Sequence, residues 1–313
     1  MTVYVMLAIL LKTLPFFAVI GLGFAAGRVR FFSAEATAYL TKFVFYFALS
    51  AMLFGFAANN DLASVFSWAF VSAYFFATLL IWLLVGGIAL SRGTPIAEAV
   101  FEAHTSVIGN VGFLGIPMLG LLLGSAAVGP VLLVLAIDLI VFSSLLTMVI
   151  AGARQSGPPW QMLRVIAIGL AQNPMIVSVV LGLAWGGSGW TLPGPVNEFL
   201  SMLGAAATPC ALFAIGASLA GRGAERFGVA LWLSFAKLVL HPTAVAVAAL
   251  VIFPVDRYSA GVMIAAAALP VAGNVFILAQ HYGVAPMRVS TAILISTMAS
   301  VLTVTAVIAL ITL

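Results

Sequence analysis

Apolar runs of 22 to 28 residues, interrupted only by glycine, proline, asparagine or a lone charge, dominate this chain. They lie near 4–26, 37–58, 64–90, 97–123, 126–151, 163–186, 196–220, 227–253, 257–281 and 285–312. A helix that crosses a bilayer needs about 20 mostly apolar residues. Runs this long and this evenly apolar lack the alternation of barrel strands, which leaves helices as the spanning element. The expected fold is therefore all-α and membrane-embedded, with ten transmembrane helices. Composition agrees. Of 313 residues 64% are hydrophobic and 6% charged, against about a quarter charged in a soluble domain. The first run is too long for a signal-peptide core, has no basic segment before it, and is followed by Arg28 and Arg30. It reads as a retained helix.

The few charges report topology. Arg28, Arg30, Lys42, Arg92, Arg154, Arg164, Arg222, Arg226 and Arg288 flank the odd-numbered loops, and the even-numbered loops hold only Arg257. The positive-inside rule then sets both termini outside the cytoplasm, in a multi-pass protein of the plasma (inner) membrane. These cations are scattered singly, so the net charge of +4 is a topology signal and predicts no nucleic-acid partner. One cysteine, Cys210, excludes an intrachain disulfide and a thiolate cluster. Three dispersed histidines without paired spacing predict no metal site.

The polar segment Ala151 to Trp160 divides the chain into residues 1–151 and 161–313, each with five spans. An odd number per half inverts the second half relative to the first, a plan shared by many transporters with sites between repeats at the bilayer midplane. Spans four and nine hold equivalent places, and each carries Gly-Asn-Val in mid-span: Gly109, Asn110, Val111, and Gly273, Asn274, Val275. Pro117 or Pro270 lies nearby. Proline removes a helical hydrogen bond and clashes with the preceding turn. Local unwinding is expected in both spans, giving two broken helices that cross. Unwound backbone at this depth survives only inside protein or beside a water-filled cavity. Helix N-termini meeting there favour a carboxylate, and Asn110 and Asn274 can each donate and accept hydrogen bonds. The competing reading is packing, because small residues let membrane helices approach closely.

Asp138 in mid-span five and Lys237 in mid-span eight are ionisable groups at a depth where each costs at least about 2.5 kcal/mol. Asp138 can carry a coupling proton. Lys237 can attract an anion, pair with an aspartate, or bond carbonyls exposed by a neighbouring break. An inert structural pair is the alternative. Lys12, nearer its helix end, snorkels. Glu98 and Glu102 share one face of span four at i, i+4 and read as a solvated helix end near Arg92, or as an entrance gate.

At the broken helices the sequence resembles the auxin efflux carrier family, which includes plant PIN-formed proteins and bacterial organic-acid carriers. NVGFLGIP (Asn110 to Pro117) resembles the family's first crossover, and ALPVAGNVFILAQHYGV (Ala268 to Val284) its second. FVFYFALSAMLF in span two, QNPMIVSVVLGL in span six, ALFAIGASLA in span seven, and Lys237 ahead of Pro242 match as well. The resemblance implies two inverted five-helix repeats similar to the bile-acid sodium symporter fold. Spans one, two, six and seven would form a scaffold, often dimeric, and spans 3–5 and 8–10 a moving transport domain. The substrate, a carboxylate such as malonate, malate or indole acetate, would sit at the crossover and move in an elevator-like step. The candidate substrate contacts are Gly109, Asn110, Val111, Gly112, Pro117, Pro270, Val271, Gly273 and Asn274, of which Asn274 rests on the internal repeat and not on the resemblance, with Asp138, Lys237 and Ser50 in coupling or support. Ser50 stands where many relatives have a proline. The short connector lacks the long loop of plant PIN proteins, so phosphorylation control there is not expected. No cofactor is expected, and proton coupling, sodium coupling and uniport all stay open. The leading expectation is a carrier of small organic anions. An anion channel or a membrane sensor is the alternative, and no nucleophile–base cluster supports an enzyme.

Overall fold

The computed structural model describes residues 2–59, 66–154, 171–220 and 227–312, with Arg164 and residues 167–168 between them. The segment 155–160 of the connector, and Arg222 and Arg226, lie outside the described residues. Among the described residues the regular structure is helical, joined by short turns and irregular segments, with one isolated two-residue bridge. The helices are α1 (Thr2–Arg28), α2 (Ala34–Asn59), α3 (Trp68–Ser91), α4 (Ile96–Thr105), α5 (Val111–Leu123) and α6 (Ser125–Ala153). They continue as α7 (Pro174–Gly187), α8 (Gly194–Ala220), α9 (Phe227–Ile252), α10 (Arg257–Ala267), α11 (Gly273–Tyr282) and α12 (Pro286–Thr312).

Seven of these are long and apolar enough to cross a membrane: α1, α2, α3, α6, α8, α9 and α12. The other three expected spans differ for identifiable reasons. The sixth is described as α7 only from Pro174, and spans four and nine are each split, into α4 with α5 and α10 with α11. Large apolar side chains point outward along the long helices, among them Leu22, Leu80, Leu83, Val251, Leu302 and Leu310. Such a surface suits hydrocarbon and not water.

Contacts between connections respect the odd–even alternation. Arg92, after α3, and Arg288, at the start of α12, both reach Glu102. At the other set of connections, Tyr258 donates to the Leu123 carbonyl at 3.0 Å, and Asn59 Nδ2 donates to Asn197 Oδ1 at 3.2 Å.

Two kinds of packing hold the helices. Helices α1, α2, α7 and α8 interlock through glycine. A Cβ on Gly182 of α7 would stand 2.7 Å from the Phe54 carbonyl oxygen of α2, and one on Gly216 of α8 would overlap the Ile20 carbonyl oxygen of α1. Close backbone approach of this kind is how helices associate where lipid offers no hydrophobic drive. Among α3, α4 and α12, by contrast, a charge network does the joining. Arg288 donates to Glu102 Oε1 at 2.6 Å and to Glu98 Oε2 at 2.8 Å, and Arg92 pairs with the other Glu102 oxygen. The expected solvated helix end is corrected here: Glu102 is only 2% exposed and Arg288 5%. A carboxylate that deep needs partners, and it has two guanidinium groups.

Candidate functional site

The breaks in spans four and nine fall where glycine, asparagine and proline accumulate, and they meet. Gly109 and Val271 face each other as an antiparallel bridge. Asn110 N–H donates to the Pro270 carbonyl at 2.8 Å, and Ala272 N–H donates to the Ile108 carbonyl at 3.1 Å. Two backbone hydrogen bonds thus tie the interrupted helices at their crossing. Val271 N–H, a further amide freed by unwinding, is accepted by Ser296 Oγ of α12 at 3.1 Å. The Ser296 hydroxyl itself donates to the Ile293 carbonyl at 3.1 Å and is wholly buried.

The two breaks are not identical. Pro270 lies inside the unwound segment. Pro117 follows Asn110 by seven residues, beyond a wide turn at Val111–Gly115 in which Ile116 N–H reaches back to Val111. That shift of hydrogen-bond register accommodates the proline, which opens the regular turn of α5.

The amides of Gly112 and Phe113 in the first turn of α5, and of Gly273 and Asn274 in the first turn of α11, have no acceptor among the described residues. Both helices are long enough to carry an N-terminal partial positive charge. The side-chain oxygens of Asn110 and Asn274 are buried without a partner as well. Four first-turn amides, the ordinary orphans of a helix start, and two asparagine side chains with buried, unpartnered oxygens are thus brought together at one crossing. A carboxamide can turn either its NH2 or its oxygen inward.

Space is tight for a side chain at Gly109 and Gly112. A Cβ on Gly109 would lie 3.3 Å from both Lys237 Nζ and the Ala266 carbonyl oxygen, and one on Gly112 would lie 3.2 Å from the Met175 methyl of α7. Gly273 faces Ile215 of α8. The crossing therefore sits against the glycine-packed helices.

Lys237 is fully buried directly behind Gly109. Its ammonium donates to the Ala267 carbonyl at the end of α10 and lies 3.4 Å from His241 Nδ1. This is the carbonyl contact that was one of the readings open from sequence. Asp138 is buried on α6 and accepts from the Tyr74 phenol of α3 at 2.9 Å. Asp138 and Lys237 form no ion pair; the ion pairs among the described residues all belong to the Arg92–Glu98–Glu102–Arg288 network. Ser50 donates to its own helix, to the Phe45 carbonyl at 3.2 Å, beside a wide turn at Val44–Ala48. That turn supplies a helix irregularity where relatives are expected to have proline. His104 is fully buried with both ring nitrogens unpartnered.

Sequence reasoning missed Tyr74, Thr78, His241 and Ser296. Only the i, i+4 spacings Tyr74/Thr78 and Lys237/His241 hinted at shared faces.

Comparison with known proteins shows the family. A family model described as "Membrane transport protein" matches residues 8–308. The chain is also 33% identical over 298 residues to the "Putative malonate transporter" of Rhizobium meliloti (strain 1021), covering 93% of this chain and 92% of that protein. Both descriptions are of transport proteins and not of enzymes. With its apolar helices, paired helix breaks and near-complete match, the chain belongs to the membrane transport protein family, that of the auxin efflux carriers.

Proposed function

We propose that this protein is a secondary carrier of small organic anions, malonate or a similar short carboxylate, bound at the crossing of α4/α5 with α10/α11. The observation that carries the reading is the set of open amides at Gly112, Phe113, Gly273 and Asn274 beside the unpartnered carboxamides of Asn110 and Asn274. Backbone dipoles and neutral amides hold a carboxylate without burying a permanent countercharge. The name of the bacterial relative supports a dicarboxylate of malonate size; malate and indole acetate remain within the class.

In this proposal the chain forms ten spans in two inverted repeats, 1–151 and 161–313, with both termini outside the cytoplasm in the inner membrane. The glycine-locked helices α1, α2, α7 and α8 suit a fixed, dimer-forming scaffold. Helices α3–α6 and α9–α12 carry the crossing past it in an elevator step, coupled to protons or sodium through Asp138 or run as uniport.

The test is counterflow of labelled malonate in proteoliposomes. A carrier gives saturable uptake that is accelerated by internal substrate, and a channel does not. Asn110→Ala removes a hydrogen bond to a charged guest worth about 1.5–3 kcal/mol, which lowers apparent affinity about ten- to a hundredfold. Pro117→Ala should slow uptake by releasing the register of the α5 turn. Wild-type kinetics in both variants, at normal membrane levels, would reject the crossing as the site.

A further inference from the structure

Asn110 is the centre of a tight turn. Its φ of −76° and ψ of 55°, with Val111 N–H bonded to the Gly109 carbonyl at 2.8 Å, carry the chain from the bridge straight into α5. That bond uses the Val111 amide and leaves those of Gly112 and Phe113 open. Gly109 and Val271 lie opposite one another without bonding to each other, because the bonds run from Asn110 to Pro270 and from Ala272 to Ile108. The two segments are antiparallel, so α5 leaves the bridge after Asn110 at one corner and α11 leaves it after Ala272 at the diagonal corner. An unbonded pair stands about 4.5 Å apart and each residue advances about 3.3 Å, which sets the two corners roughly 8 Å apart.

We infer that each corner takes one carboxylate of the same guest, so that the site is built for short dicarboxylates and not for monocarboxylates. The inference rests on the crossing being the substrate site. A charged hydrogen bond of about 2.8 Å at each corner leaves a gap of roughly 2–3 Å. Two carboxylates joined through one CH2 have their carbons about 2.5 Å apart, and a longer chain must bend to fit. Each corner offers two open amides and an asparagine side chain: the amides of Gly112 and Phe113 with Asn110 at one, those of Gly273 and Asn274 with the Asn274 carboxamide at the other. The side chains that close on these glycines from α7 and α8 offer no donor. The Met175 methyl stands 3.2 Å from the Cβ position of Gly112, and Ile215 3.8 Å from that of Gly273. Such a surface suits the CH2 of the guest.

A dianion needs more than dipoles. Each helix start carries roughly half a positive charge, so the pair answers about one of the two negative charges. Lys237 stands behind the bridge, its ammonium 3.3 Å from the Cβ position of Gly109, and supplies a full charge. No ion pair among the described residues takes that charge up, and Asp138, the carboxylate on α6, is hydrogen-bonded to the Tyr74 phenol instead. Helix C-termini repel anions, and the two that end at the crossing are covered. Lys237 donates to the Ala267 carbonyl of α10, and the last carbonyls of α4 accept from the amides of Ser106, Val107 and Ile108.

The test is counterflow of labelled malonate by the full chain in proteoliposomes, at alkaline pH where both its carboxyl groups are ionised, with unlabelled competitors. Malonamate keeps the shape of malonate and replaces one carboxylate by a carboxamide. Losing the charged hydrogen bonds at one corner predicts that it competes about ten- to a hundredfold more weakly than malonate, with acetate and indole acetate no stronger. Asn110→Ala and Asn274→Ala each weaken one corner, so malonate loses affinity in both. Malonamate turns its single carboxylate to the intact corner, and the gap between the two competitors narrows in each variant. That gap is a ratio within one variant, independent of how much protein folds. Two results would overturn the inference: malonamate competing as well as malonate in the wild type, or a gap that narrows in only one variant. Malonate affinity unchanged in both variants would reject the crossing itself. Affinity weakened in both, with malonamate equal to malonate, would keep the crossing and reject only the seating of one carboxylate at each corner.

Discussion

Replacing Arg288 by Met tests how the ends of α4 and α12 are held together. Arg288 is 5% exposed and gives one nitrogen to Glu102, itself 2% exposed, and another to Glu98, which is 32% exposed. Removing one member of a buried pair costs about 3–5 kcal/mol, because the remaining charge is left without compensation. Two features place this case at the lower end. Arg92 still holds the second oxygen of Glu102, and Glu98 is open enough to be satisfied by water. Arg288→Met should therefore destabilise by about 3 kcal/mol, or about two powers of ten in the folded-to-unfolded ratio. Reversible unfolding in mixed micelles, followed by tryptophan fluorescence, measures this. A second substitution sharpens the test: Arg288→Met with Glu102→Gln removes the orphaned charge and should regain at least half of the loss. A single-variant cost under about 1 kcal/mol would refute the assignment of this network as a buried fastening. So would a double variant as unstable as the sum of the two singles.

Two further outcomes follow from packing and from the crossing. Gly216→Ala places a methyl against the Ile20 carbonyl and 2.8 Å from Phe24 N, so α1 and α8 must separate; a loss of at least about 2 kcal/mol is expected in the same unfolding assay, toward the upper end of overpacking costs. Ser296→Ala leaves the buried Val271 amide without an acceptor, costing about 1–3 kcal/mol and weakening malonate affinity in thermal-shift titration, and Ser296→Thr should restore both.

Much of the fold could be read from the chain because hydrocarbon solvent imposes a simple rule on span length. The breaks were legible too, since Gly109-Asn110 and Pro270 with Gly273-Asn274 are poor helix formers in otherwise continuous runs. Partners across helices were not legible. Helices such as α3 and α9 are apolar on every face, so nothing in one sequence says that Thr78 looks at His241, 163 residues away. The same blindness hid Glu102 and Arg288. Each sits beside a loop, where a charge ordinarily meets water, and only the folding of α12 against α4 buries them. Ser296 was invisible because its acceptor role exists only after the Val271 amide has been freed.

The bond pair joining Asn110 to Pro270 and Ala272 to Ile108 has a bearing on how ligands see the two sides of the bilayer. In the proposed carrier it fastens the two halves of the site to one another, so that both would hold and release a bound molecule together. Defects engineered at one interruption should consequently weaken apparent affinity by the same factor whether solute is offered from the cell interior or from outside.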